Sequence, residues 1–124
     1  MTDKLVVLVT CSSPAEARRI ARAVVEARLA ACVNIVPGAV QSIYRWKGKV
    51  ESAHERLLLI KTSRRRLEKL RKTVEQLHSY DVPEFIALQI AAGSRAYLAW
   101  VEDCVRLPSR PNQRATAKAV STKG

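Results

Sequence analysis

The chain has 124 residues, 48% of them hydrophobic and 27% charged, a balance that fits one globular domain and excludes both a disordered chain and two independent domains. Its longest early apolar run, Leu5 to Val9, is five residues, too short for a membrane span or a signal-peptide core, so a cytoplasmic protein is expected. The net charge of +11 comes from 22 Lys and Arg against 11 Asp and Glu, and five of the basic residues but no acidic one follow Cys104. Residues 108–124, basic and poor in apolar side chains, read as a flexible tail after a single domain spanning 1–107.

Leu5 to Val9 is a β-branched run of the kind that forms a strand covered on both faces. Ser13-Pro14-Ala15-Glu16 then opens a helix, with Ser as N-cap, Pro at the first helical position and Glu placed to close a capping box. Ala17, Ile20, Ala21, Val24 and Val25 recur at helical spacing, and the helix is expected to end near Leu29. Cys32 to Val36 and Val40 to Trp46 read as one long strand kinked at Pro37-Gly38. Lys47-Gly48-Lys49 signals a tight turn, and Val50 to Thr62 returns as the hairpin partner.

Ser63 is expected to cap a second helix, whose apolar positions Leu67, Leu70, Val74 and Leu77 leave a strongly basic outer face. His78 to Glu84 is a turn-forming link into a strand over Phe85 to Ile90, and Gly93-Ser94 opens a last helix reaching Val105. The order β-α-β-β-α-β-α predicts an α+β, ferredoxin-like fold. Its features are an antiparallel sheet with two helices on one face, a long central hairpin and a C-terminal helix. Such a hairpin outruns one helix layer, so its apolar end, with Ile43, Tyr44 and Trp46, needs another chain to cover it.

An enzyme is not expected. No glycine stands in a GxGxxG or GxxxxGK[ST] setting. His54 lies mid-strand in a polar stretch, and His78 at a helix end can serve as a favourable terminal cation. Three cysteines at 11, 32 and 104, an odd number without CxxC spacing, argue against a disulfide framework and a closed zinc knuckle. Cys11 ends the first strand just before a helix N-terminus, a setting that favours a metal-binding thiolate, although a small buried hydrophobe fits there as well. Cys32 and Cys104 read as packing residues. Tyr44, Trp46, Lys61, Tyr80, Asp81 and Glu84 converge at strand ends and either line a small-molecule cleft or pack a subunit interface, the interface being favoured.

Four segments, Ala30-Ala-Cys-Val-Asn-Ile-Val-Pro-Gly38, Ser42-Ile-Tyr-Arg-Trp-Lys-Gly-Lys-Val-Glu51, Leu59-Ile-Lys-Thr62 and His78-Ser-Tyr-Asp-Val-Pro-Glu84, stand in an order and spacing that closely resemble the CutA divalent-cation tolerance family. The resemblance runs from about Leu5 to Trp100. It implies a homotrimer of ferredoxin-like protomers that takes part in tolerance to metal ions, binding copper or another divalent cation as its cofactor and having no family reaction. By position, Cys11, Cys32 and His78 match family residues and are the implied metal ligands, whereas a further cysteine of some members falls at Thr73. The alternative is a small-molecule or signal-sensing trimer with ligands in intersubunit clefts formed by Tyr44, Trp46, Lys61, Tyr80 and Glu84. Neither a membrane nor a nucleic acid is expected as partner, since Lys49 to Lys61 lacks the aromatic pattern of an RNA-binding strand.

Overall fold

The computed structural model describes residues 1–107. The basic segment 108–124 lies outside the described residues. Five strands and three helices follow in the order β1 (Lys4–Cys11), α1 (Pro14–Glu26), β2 (Cys32–Ile35), β3 (Val40–Trp46), β4 (Lys49–Ser63), α2 (Leu67–Leu77), β5 (Ile86–Gln89) and α3 (Arg95–Val105). All pairings are antiparallel, in the order β2-β4-β1-β5, and β3 continues the sheet by pairing with the first half of β4. This is the expected ferredoxin-like architecture. No helix among the described residues is long and apolar enough to cross a membrane.

Side-chain alternation along the strands sorts the molecule into two sides. Leu5, Val7, Val9 and Cys11 of β1, with Leu58, Ile60 and Thr62 of β4, are all buried. Val7, Val9, Cys11, Leu58 and Ile60 meet Ala17, Ile20 and Val24 of α1 and Leu70 and Val74 of α2 in the main core. The opposite face carries Val6, Leu8, Leu57 and Leu59, only half-buried. One end of that face is taken by α3, which packs Val101, Val105 and Cys104 against Ala31. A charged clasp fixes it there: the Lys4 ammonium donates to Asp3 and, at 3.1 Å, to Glu102, and Arg65 donates to the other Glu102 oxygen.

Three local expectations need correction. Helix α1 stops at Glu26, because Arg28 takes a left-handed backbone (φ +59°) and Leu29 and Ala30 both return their N–H groups to the Val24 carbonyl. Ser63 does not cap α2. It remains in β4 opposite Lys4, its hydroxyl buried without a hydrogen-bond partner, and a 3₁₀ turn over Arg64–Arg66 precedes the helix. The kinked strand is two strands, parted where Gly38 turns the chain at φ +82°.

Candidate functional site

The β3–β4 hairpin closes through Lys47 (φ +51°) and Gly48 (φ +81°), pairing Trp46 with Lys49. Positive φ at both central positions is the two-residue turn whose twist matches the flanking strands. Its register places Ser42 opposite Ala53, Tyr44 opposite Glu51 and Val40 opposite Glu55. Ser42, Tyr44, Trp46, Ala53 and Glu55 therefore share the face of the sheet opposite α1 and α2 with Thr10 of β1, which pairs with Leu57.

Over this floor lies the loop between α2 and β5, held by Glu16. The Glu16 side chain is buried and accepts hydrogen bonds from the backbone N–H and hydroxyl of Ser12 (3.2 and 2.9 Å) and of Ser79 (2.6 and 3.2 Å). It thus pins the loop instead of reaching back to the Ser13 N–H as a capping box would, while the Ser13 hydroxyl caps α1 by accepting from the Glu16 N–H at 3.1 Å. One residue before Ser79, the buried His78 donates from Nε2 to the Thr10 carbonyl at 2.7 Å and accepts at Nδ1 from the Tyr80 N–H at 3.1 Å. Both ring nitrogens are used in building the loop.

Hairpin and loop enclose a cavity of about 750 Å³. Ile43, Tyr44, Trp46 and Val82 supply apolar walls, and Glu55, Asp81 and Glu84 bring three carboxylates, with no basic residue among the described lining groups. The Tyr80 hydroxyl donates to Glu55 Oε2 at 2.7 Å. Burial first, then that bond and the Glu55 charge, push the Tyr80 phenol well above its ordinary range. Burial and the Glu55 charge also raise Glu84. Glu55 is only 7% exposed, and its second oxygen has no hydrogen-bond partner among the described residues.

Within the protomer the structure brings Tyr44, Trp46, Tyr80, Asp81 and Glu84 together, but not Lys61. That lysine shares the face of Glu55 yet sits six residues along β4, about 20 Å away at strand rise. Its ammonium donates to Asn34 and, at 3.7 Å, to the Cys32 sulfur. Sequence reasoning missed Thr10, Ser42 and Glu55. The alternation of Tyr44 with Ser42 and of Glu55 with Ala53 across the hairpin is the signal that could have found them.

The proposed thiol and imidazole ligands do not assemble within the protomer. Cys11 lies on the helix-covered face, fully buried, and Cys32 on the opposite face beside Lys61 and the Tyr97 hydroxyl (3.8 Å). The expectation of a favoured Cys11 thiolate is also reversed. Burial, followed by the charges of Glu16 and Glu55, pushes the thiol up to about 12 against the opposing charge of Arg19. Among the described residues no three His, Cys, Asp or Glu side chains gather to hold a metal ion.

The fold and cleft define a small ferredoxin-like α+β protein carrying a ligand-sized cavity along one side of its hairpin. The family model described as CutA1 divalent ion tolerance protein matches residues 5–104. The divalent-cation tolerance protein CutA of Thermus thermophilus is 55% identical over 98 residues, covering 79% of this chain and 94% of that one, and its structure superposes with a TM-score of 0.77. The chloroplastic protein CutA of Arabidopsis thaliana is 48% identical over 102 residues, 82% of this chain and 56% of that protein. A structure described as the periplasmic divalent cation tolerance protein CutA of Archaeoglobus fulgidus matches with a TM-score of 0.80 at 35% identity, covering 83% of this chain and 99% of that one. The chain belongs to the CutA1 divalent ion tolerance family. It spans nearly the whole of the Thermus protein but little more than half of the plant one.

Proposed function

We propose that this chain acts in the cytoplasm as a homotrimer in the response to divalent metal ions, binding them rather than catalysing a reaction. The observation that carries the assembly is the uncovered face of the sheet. Ile86 and Leu88 of β5 are 47% and 49% exposed beside half-buried Val6, Leu8, Leu57 and Leu59, an apolar surface that a second copy would cover. Copper is among the metals that thiolates favour. With Cys11 and Cys32 on opposite faces, this reading puts copper between subunits and gives Cys32, not Cys11, the larger part. His78 contributes by shaping the loop.

Light scattering together with metal analysis of untagged protein tests the proposal. A mass three times the protomer's 13.8 kDa is expected, with copper uptake kept in Cys11→Ser and reduced in Cys32→Ser. A monomer at micromolar concentration, or uptake indifferent to Cys32, overturns it.

The cleft supports a second reading, a small-molecule or signal-sensing trimer. Its basis is the buried Glu55 carboxylate, turned toward a ligand-sized cavity with one oxygen unpaired beneath aromatic walls.

A further inference from the structure

Resting on that second reading, we infer that the cleft takes a small organic cation: an ammonium group carried on an apolar or aromatic body. Three carboxylates line the cavity and, among the described residues, no Lys or Arg does, in a chain whose net charge is +11. The local sign is thus opposite to that of the whole molecule, and a ligand of positive charge is selected where the protein at large repels it.

Glu55 sets the polar end. Its side chain is more than nine-tenths buried, Tyr80 satisfies one oxygen at 2.7 Å, and the other oxygen is without a partner among the described residues. A largely buried carboxylate with one oxygen bonded and the other open to the cavity gains from an N–H donor bearing positive charge. Glu84, whose ionised form is disfavoured by partial burial and then by the Glu55 charge, gains from the same positive charge.

Tyr44 and Trp46, 44% and 41% exposed, set the other end and receive the body of the ligand. Trp46 already has the Lys47 ammonium 5.9 Å from its ring centroid, so its ring accepts a cation on one side. Lys47 itself makes no ion pair with the cleft carboxylates. A cavity of about 750 Å³ fits a molecule of drug-like size rather than a bare ion.

The test uses full-length protein stripped of metal with chelator and three probes of similar shape: phenethylamine, 2-phenylethanol and 3-phenylpropionate. Calorimetry gives affinity, and Trp46 fluorescence in a Trp100→Phe background, which leaves one tryptophan, reports the place. The amine is expected to bind at least tenfold more tightly than the alcohol, and the acid not measurably. Glu55→Gln should weaken the amine at least tenfold while leaving the alcohol unchanged. Glu84→Gln, at an exposed position, repeats the test if Glu55→Gln fails to fold. Equal binding of alcohol and amine overturns the cation inference but keeps a ligand cleft. Binding of none of the three, with Trp46 emission unmoved, removes the cleft reading itself.

Discussion

The Glu16 carboxylate joins two parts of the chain that are remote in sequence, accepting hydrogen bonds from Ser12 after β1 and from Ser79 after α2. Burial alone would raise its pKa, but the four hydrogen bonds outweigh burial and hold it below the ordinary 4.5. A depressed folded value means that ionised Glu16 stabilises the fold above that pH, and that the stabilisation is lost as pH falls through the folded value. Glu16→Gln is therefore expected to cost about 1–3 kcal/mol at neutral pH and to lose less further stability on acidification than the parent. Urea unfolding of both proteins at neutral and acid pH checks this, and equal losses on acidification would sink it. Cys11 gives a second prediction: with its thiol buried and pushed up to about 12, native protein should resist alkylation there until unfolded. Peptide mass mapping that finds Cys11 modified in the native state would refute the packing role. These roles were hard to read from sequence, because a helix N-terminus signals a thiolate while the burial that opposes it depends on the sheet face.

The elements themselves were largely legible. Continuous β-branched runs, helical spacing in α1 and α2 and the Lys47-Gly48 turn each follow from local chemistry, and all of them form. Legibility failed where tertiary register overrides a local signal. Ser63 looks like a cap, yet the ladder with β1 keeps it extended. Lys61 looks like a cleft residue, yet strand rise carries it out of reach. At the hairpin turn both central residues have positive φ, which only Gly and a few others adopt without strain. Gly48→Ala is thus expected to cost about 1 kcal/mol, whereas Lys47→Asn should be neutral or stabilising. Thermal unfolding of the two variants checks the pair, and a Gly48→Ala protein as stable as the parent would contradict the turn.

At the scale of the whole molecule, hairpin length alone leads to the expectation of an oligomer, and the number three comes only from the family resemblance. Local sequence patterns do not encode symmetry. The apolar open face, with Ile86 and Leu88 exposed on β5, supplies a test of the assembly. Leu88→Glu is expected to lower the mass measured by light scattering while leaving the circular dichroism of the protomer unchanged. An unaltered mass and melting temperature would show that this face is not the contact. One consequence follows from the fifteen residues of β4, which pair with β1 and β2 in one half and with β3 in the other. Glu55 stands at the changeover, where pairing with Val40 gives way to the ladder of Arg56 with Cys11. Mechanically, β4 is a lever with its fulcrum at the cleft: Lys49 lies six residues out, about 20 Å at strand rise. A tilt of about 5° at Glu55 therefore swings the hairpin tip by about 2 Å at that strand rise, and with it Trp46, which pairs with Lys49 and forms part of the cleft wall.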